Sequence, residues 1–144
     1  MKTKPKKKVY SLKKVKAKAW TAFSLYIRTR DCLKATGTPN LGICVTCGKQ
    51  CDIKQLQAGH FIGGRTNSVL FVEDNCHSQE VGCNVFLRGN YDKYLIFMLD
   101  TYGEKRVREL ADLKNHLTKY SVNDYLEIFE KYTKKLEELL CFME

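Results

Sequence analysis

The stretch that decides the fold is residues 44–84, CVTCGKQCDIKQLQAGHFIGGRTNSVLFVEDNCHSQEVGCN. It holds five of the seven cysteines and two of the three histidines, and it lacks the periodicity of a helix. Such a pattern is typical of turns and short strands, which we predict at residues 55–61 and 69–72. Clustered cysteines in a reducing compartment are more often metal ligands than disulfides. The stretch therefore predicts a small irregular ββ segment that is held together by a metal ion.

The cysteine spacing predicts a structural zinc site. Cys44-Val-Thr-Cys47-Gly is a zinc knuckle, in which two thiolates stand two residues apart and a glycine closes the turn. A redox pair has the same spacing, but the surrounding strand and helix of a thioredoxin-like motif are missing. Glu80-Val-Gly-Cys83 offers the second pair of ligands, and Zn²⁺ accepts a carboxylate. We predict zinc at Cys44, Cys47, Glu80 and Cys83, with Cys51 and Cys76 as rivals for the fourth position and unliganded buried thiols as the alternative.

Helical patterns flank this stretch on both sides. Apolar residues recur at helical spacing from residue 11 to about residue 35, with Trp20 and Phe23 as the expected anchors. Residues 85–102 read as one helix or two, interrupted near residues 89–90, and residues 104–117 read as another. Ser121 and Asp124 form a capping box that starts the last helix. The predicted fold class is α+β, a metal-rich core surrounded by helices.

The positive charge is concentrated at the N-terminus. The chain has 144 residues and a net charge of +9, yet residues 1–30 alone carry nine Lys and two Arg without any acidic residue. A solubility tail is one interpretation, but a polyanion such as DNA is the natural partner of such a segment. The candidate DNA contacts in it are Lys6, Lys7, Lys8, Lys13 and Lys14. No apolar run approaches the length of a membrane span and no secretory signal is visible, so we expect a cytoplasmic protein.

Three short motifs lie between and beside the zinc ligands. They are Ala58-Gly59-His60-Phe61, Asn75-Cys76-His77-Ser78-Gln79 and Cys83-Asn84. Together they resemble an HNH nuclease, and the wider string AGHF…EDNCHSQ…CN…RGNY resembles the phage NinG (Rap) recombination nucleases, relatives of endonuclease VII. The likeness runs over residues 44–102 and extends weakly to the Tyr-x2-Lys-Leu pattern at residues 132–136.

The resemblance implies a ββα-metal core and a catalytic site. His60 would be the general base, Asn75 would orient it through its ring or the adjacent backbone, and Asn84 would ligate Mg²⁺ or Mn²⁺. Zinc would hold the scaffold. The family chemistry also implies DNA products with 5′ phosphate and 3′ hydroxyl ends, in the host cell cytoplasm if the chain is phage-encoded.

The sequence departs from the HNH pattern at two positions. Gly59 stands where many HNH enzymes have a metal-binding aspartate, and Glu80 stands where the family usually has cysteine. We predict that His77 completes the catalytic metal site with Asn84, because an extended segment would project it to the same face as Asn75. Arg65 and Arg88 are either phosphate clamps or solvated loop residues, and His116 reads as a surface or capping group.

The predicted function is a metal-dependent endonuclease for branched, recombination-intermediate DNA of the Holliday-junction type, acting as a homodimer if two cuts are coordinated. The rivals are a non-catalytic zinc-knuckle module that binds nucleic acid, and an HNH enzyme with another substrate, such as a general nickase. The expected organisation is a flexible basic arm (1–10), a basic helix (11–40), the nuclease core (41–102) and a C-terminal helical region (103–144).

Overall fold

The computed structural model of the chain describes residues 8–63 and 66–142. The elements in chain order are α1 (Leu12–Thr36), β1 (Leu41–Ile43), β2 (Gln50–Asp52), β3 (Leu56–His60), α2 (Asn67–Leu70), β4 (Cys76–Glu80), α3 (Tyr91–Leu113) and α4 (Val122–Cys141). Two short 3₁₀ turns precede β3 and β4, and a π-helical turn, Gly82–Phe86, follows β4. The mixed α and β composition is confirmed. Within the described ranges, no helix combines the length and apolar character needed to span a membrane.

Helix α1 begins and ends where the sequence predicts. The Ser11 hydroxyl accepts a hydrogen bond from the Lys14 backbone N–H at 3.3 Å, which caps the first turn. Gly37 adopts φ 75° and its N–H binds the Leu33 carbonyl, which ends the helix. One face of the helix, with Phe23 and Ile27 at its centre, is fully buried against the rest of the chain.

The four strands form two antiparallel pairs. β1 pairs with β2, and the knuckle turn lies between them. β3 pairs with β4, with Leu56 opposite Glu80 and His60 opposite Cys76. The predicted strand at residues 55–61 is therefore confirmed, and its partner is β4.

The predicted strand at residues 69–72 is wrong. The backbone N–H groups of Val69 and Leu70 both donate to the Thr66 carbonyl at 3.0 Å, which makes this segment a single turn of helix. Val69 is fully buried among apolar side chains of α3. An apolar run of this length does not distinguish a strand from a buried helical turn.

Helix α1 holds β4 in place through two charged side chains. Arg30 Nη2 donates to the Cys76 carbonyl at 2.9 Å, and Arg30 Nε donates to Asp31 Oδ1 at 2.8 Å. Asp31 Oδ2 in turn accepts from the Ser78 backbone N–H at 2.8 Å. Because charge-assisted hydrogen bonds to backbone are strong and directional, this pair fixes a strand whose own sequence has little β-propensity.

Helix α3 begins later than the sequence suggests and contains a break. Arg88, Gly89 and Asn90 have φ of 50°, 95° and 47°, so a helix cannot pass through them and α3 starts at Tyr91. Gly103, with φ 83° and ψ 166°, divides the helix. The predicted interruption at residues 89–90 and the boundary between residues 102 and 104 are both confirmed, whereas the helix ends at Leu113 and not at residue 117.

Helix α4 packs along α1. The predicted capping box is present, since Asp124 N–H donates to the Ser121 hydroxyl at 3.1 Å and Ser121 N–H donates to the Asp124 carboxylate at 2.7 Å. The Tyr132 ring meets Phe23 edge-on, with ring centroids 4.8 Å apart. Tyr132 and Phe23 share one buried cluster with Ala58 of β3 and Cys76 of β4, so α4 packs into the same core as α1 and the strands.

An ion pair joins α4 to the turn before β4, and it supports a prediction about pH. Burial acts to raise the pKa of Glu73, but its bond with the Lys135 ammonium outweighs burial, so the pKa is lowered. A carboxylate with a depressed pKa in the folded state contributes stability at neutral pH, and this is lost as the pH falls through the folded-state pKa. Lys135→Met is therefore expected to lower the free energy of unfolding by about 1 kcal/mol at neutral pH. This loss of stability should become smaller at pH values well below 4.5, the ordinary pKa of glutamate.

Urea unfolding at neutral and acidic pH measures this effect, and the exposed Lys134→Met on the same helix is the control. A deficit that is the same at both pH values would contradict it.

Candidate functional site

Three cysteine sulfurs converge where the β1–β2 turn meets the end of β4. The Sγ atoms of Cys44, Cys47 and Cys83 all lie within 4.8 Å of one another. The knuckle turn is closed by two backbone hydrogen bonds of 2.9 Å, from Cys44 N–H to the Lys49 carbonyl and from Gly48 N–H to the Cys44 carbonyl. These three cysteines could bind a metal ion such as zinc.

Glu80 brings a carboxylate oxygen to the same cluster. Its Oε1 lies 3.6 Å from Cys47 Sγ and 3.8 Å from Cys83 Sγ. Tetrahedral zinc, with bonds of about 2.0–2.3 Å, places its ligand atoms roughly 3.5–3.8 Å apart. The Glu80 distances to Cys47 and Cys83 fit this spacing, whereas the set in which all ligand atoms lie within 4.8 Å of one another comprises the three cysteines alone among the described residues. Lys49 Nζ, at 3.5 Å from Glu80 Oε2, adds positive charge at the rim.

The rival cysteines lie elsewhere. Cys76 is fully buried among Phe23, Ala58 and Tyr132, and this burial raises the pKa of its thiol. Cys51 packs with Cys32 and Leu56, and its thiol points to the Lys49 carbonyl at 3.7 Å. Among the described residues, neither sulfur belongs to the cluster that meets the 4.8 Å separation.

Hydrogen bonds favour the charged form of one thiol in the cluster, that of Cys44. Burial acts to raise the pKa of Cys44, but hydrogen bonds from the Thr46 hydroxyl and from the backbone of Cys47 and Glu80 outweigh it, so the pKa is lowered. Burial raises the pKa of Cys47 to about 12, and the sulfurs of Cys44 and Cys83 act in the same direction. A divalent cation is the group that would allow all of these sulfurs to be charged together.

His60 ends strand β3 and is held from two sides. Its ring stacks on Trp20 of α1, with centroids 5.2 Å apart and an interplanar angle of 25°. Its Nε2 lies 3.0 Å from the Leu70 carbonyl. Because a carbonyl only accepts, Nε2 carries the hydrogen, and in the neutral ring Nδ1 is then the basic nitrogen.

A cavity of about 540 Å³ opens beside the His60 ring, and Asn84 lies on its wall. Asn84 lies in the π-helical turn directly after Cys83, a member of the cysteine cluster, so the cluster fixes the start of its turn. Asn84 Nδ2 donates to Gln57 Oε1 at 2.7 Å. Its Oδ1 lies 3.0 Å from the point that a Cβ on Gly59 would occupy. Mg²⁺ commonly takes only one or two protein oxygens and keeps several waters, so an amide oxygen at the cavity fits that ion.

Asn75 positions the chain around His60 through hydrogen bonds to the backbone. Its side chain is fully buried, and its Oδ1 accepts from the Ile62 N–H at 2.7 Å. Its Nδ2 donates to the Ile62 carbonyl at 3.0 Å and to the Val69 carbonyl at 3.3 Å. Asn75 thus ties the segment after β3 to the helical turn whose Leu70 carbonyl contacts His60.

His77 does not lie with Asn84. It is 4 % exposed, and its ring nitrogens contact the hydroxyls of Tyr94 at 3.1 Å and Tyr102 at 2.7 Å. It lines a different cavity from Asn84, and burial lowers its pKa to about 3. The reason is local, because Asn75 belongs to the 3₁₀ turn before β4 and the alternation of a strand does not apply to it. His77 would have to give up a tyrosine contact to bind an ion.

A family model described as "Bacteriophage Lambda NinG protein" matches residues 1–140. The chain belongs to the NinG family. It is 30% identical over 125 residues to "Protein ninG" of Escherichia phage 933W, covering 84% of this chain and 56% of that protein.

Two further NinG proteins show similar identity and coverage. The identity is 30% over 126 residues for Salmonella phage P22 and 29% over 125 residues for Escherichia phage lambda, with 84% of this chain and 55% of each relative covered. The chain therefore spans little more than half the length of these NinG relatives. No solved structure matches it.

The basic residues that were predicted to contact DNA in this NinG chain fall into two groups. Lys8, Lys13, Lys14 and Arg88 are exposed. Lys6, Lys7 and Arg65 lie outside the described residues. Arg28 was not predicted from the sequence, yet it lines the His60 cavity. Its Nε donates a hydrogen bond to the Ser24 carbonyl, and its Nη1 donates one to the Ile53 carbonyl. The sequence could have indicated Arg28, because it lies two helical turns after Trp20 in the same predicted helix.

Proposed function

We propose that this NinG-family chain is a metal-dependent DNA endonuclease with an HNH core, and that it cuts branched recombination intermediates such as four-way junctions. The observation that carries the proposal is the cavity that His60 and Asn84 share. His60 ends one strand of a β-hairpin and Asn84 lies in the helical turn that follows the other, which is the element order of a ββα unit. The cysteine cluster adjoins this unit at the helical turn, through Cys83.

In this proposal His60 takes the proton of the attacking water. The Leu70 carbonyl fixes the tautomer in which Nδ1 is basic, and the stack on Trp20 fixes the plane of the ring. Asn75 is a positioning residue, because it acts through the backbone that carries Leu70. A bound Mg²⁺ or Mn²⁺ would supply the positive charge that stabilises the transition state and the leaving oxygen. Asn84 Oδ1 is the proposed ligand for that ion.

Positive charge at the cavity would hold the DNA strand. Arg28 lines the cavity itself, and Arg88 lines a second cavity of about 260 Å³ that His60 also lines. A guanidinium can bind a phosphate in bidentate fashion. Phosphate contacts of this kind position the substrate without reading its sequence.

A non-catalytic zinc-knuckle module is the second candidate function. The observation that favours it is that the His60 ring is stacked and hydrogen-bonded, as a structural histidine would be. Such a module would bind nucleic acid through its basic segment and cut none.

A panel of substrates separates these functions. The purified chain is incubated with four-way, three-way, linear and single-stranded DNA and with RNA, in Mg²⁺, Mn²⁺ or excess chelator. We expect cation-dependent cutting that is fastest on the four-way junction and leaves 5′ phosphate ends. Binding without any cutting would favour the zinc-knuckle module, and equal cutting of linear duplex would indicate a general nickase. Paired cuts within one binding event would support a homodimer.

The basic arm supports a prediction of its own. Deleting residues 1–9 removes five lysines, so junction affinity should fall and the slope of log affinity against log salt should shrink by up to roughly 4–5 units. Fluorescence anisotropy over a series of salt concentrations measures the slope. Replacing the same lysines by glutamine, with the length kept, is the control for chain length. An unchanged slope would mean that the arm does not contact phosphate.

A further inference from the structure

The amide oxygen of Gln79 is a buried acceptor without a hydrogen-bond partner. The side chain is 0 % exposed, and Oε1 is one of three buried side-chain polar atoms in the described part of the chain that have no such partner. Its Nε2 donates to the Gly89 carbonyl at 2.9 Å and to the Thr46 hydroxyl at 3.2 Å. Because a carbonyl cannot donate, the amide cannot be turned around, and Oε1 must face the other way.

Gln79 Oε1 faces Asn84 across Gly59. It lies 1.9 Å from the point that a Cβ on Gly59 would occupy, and Asn84 Oδ1 lies 3.0 Å from the same point. A side chain at Gly59 would displace the Gln79 oxygen and crowd that of Asn84, so the glycine leaves room for both. Two carbonyl-type oxygens that converge repel each other unless a donor or a cation lies between them.

We propose that Gln79 Oε1 and Asn84 Oδ1 together bind a hard divalent cation, Mg²⁺ or Mn²⁺, over Gly59. Amide oxygens are ligands for these ions and are poor ligands for zinc. Gln79 is thus the second protein ligand beside Asn84, the role that the sequence had predicted for His77. The ring nitrogens of His77 contact two tyrosine hydroxyls instead. The catalytic use of this cation rests on the proposed nuclease function, whereas the binding itself does not.

The backbone around Gln79 is shaped to hold its amide in this orientation. Arg88, Gly89 and Asn90 all have positive φ, and this tight turn brings the Gly89 carbonyl to the Gln79 Nε2. Gln57, directly opposite Gln79 on β3, holds the Asn84 Nδ2 and so directs Oδ1 away from itself. Both amides are therefore oriented by their nitrogens, which leaves both oxygens for the same small region.

A Mn²⁺ titration without DNA tests the proposal. The full chain, supplied with one equivalent of zinc, is titrated with Mn²⁺, and free Mn²⁺ is measured by electron paramagnetic resonance. Gln79→Met removes the oxygen at similar volume and should weaken Mn²⁺ binding at least about tenfold. Gln50→Met, at an exposed position on β2, is the matched control and should bind as the wild type does.

A second measurement uses the unaltered protein, in case Gln79→Met does not fold. Bound Mn²⁺ should broaden the side-chain amide signals of Gln79 and Asn84 in a nitrogen-15 NMR spectrum before those of Gln50. Wild-type affinity in Gln79→Met, no saturable Mn²⁺ binding into the millimolar range, or no selective broadening would overturn the inference. Cutting of DNA by a chain that gives any of these results would leave the nuclease proposal standing. Mn²⁺ binding through Gln79 without any cutting of DNA would support the cation site and contradict the proposed nuclease function.

Discussion

Replacing His60 by alanine is expected to slow cation-dependent cutting of a four-way junction by roughly 10²–10⁴-fold, the usual contribution of a general base. Binding of the junction should be unchanged, because the ring takes a proton in the proposed mechanism and does not hold the phosphates. Single-turnover cleavage with the chain in excess measures the chemical step, and anisotropy with a chelator present measures binding.

The controls for His60 address its packing as well as its chemistry. His60 stacks on Trp20, so zinc content and unfolding temperature must be compared before the rates are interpreted. His60→Gln keeps a side chain in the stack and should be nearly as slow as His60→Ala. His116→Ala, at an exposed position after α3, should cut at the wild-type rate. Undiminished cutting by both His60 variants would exclude His60 as the base.

Loss of zinc is the second large effect that we expect. Cys47 is the exposed member of the cluster, so Cys47→Ala removes a ligand without opening a cavity in the core. Structural zinc contributes on the order of 10 kcal/mol in small modules. Cys47→Ala should therefore bind zinc far more weakly and lower the unfolding temperature by about 10 °C or more. Metal analysis of the purified chain and thermal unfolding measure the two effects.

The cluster offers matched controls for this experiment. Cys141→Ala changes an exposed cysteine near the end of α4, outside the cluster, and should hold one zinc per chain as the wild type does. Glu80→Gln removes the charge from the predicted fourth ligand and should weaken zinc binding less than Cys47→Ala, because all three cysteine sulfurs remain. A wild-type chain that holds no zinc and unfolds at the same temperature with or without chelator would contradict the zinc site.

The parts of the fold that the sequence predicted are those determined by neighbouring residues. The start of α4 depends on a hydrogen-bond exchange between Ser121 and Asp124, three positions apart. The convergence of Cys44 with Cys47 depends on a turn of two intervening residues. Energies of this kind act within a few residues, so a local pattern is enough to predict them.

The wrong strand prediction at residues 69–72 and the wrong placement of His77 beside Asn84 arise from contacts that a local sequence pattern does not record. β4 is held by Arg30 and Asp31, which lie more than forty positions away in the chain, and no pattern within residues 76–80 records that contact. Asn75 stands in the turn before the strand, which breaks the alternation that was expected to place His77 beside it. Arg28 and Gln79 were missed for the same reason, since each reaches its neighbours through the packing of α1 or of the β3–β4 pair.

The sequence by itself determined the cysteine knuckle, the N-terminal caps of α1 and α4, the basic N-terminal segment and membership of the NinG family. Tertiary structure alone decided that His60 rests on Trp20, that His77 is enclosed by two tyrosines, and that the oxygens of Gln79 and Asn84 meet over Gly59. The physical reason is the range of the interactions. Turns and caps are closed by hydrogen bonds between neighbours, whereas these contacts depend on where packed helices and paired strands bring distant side chains together.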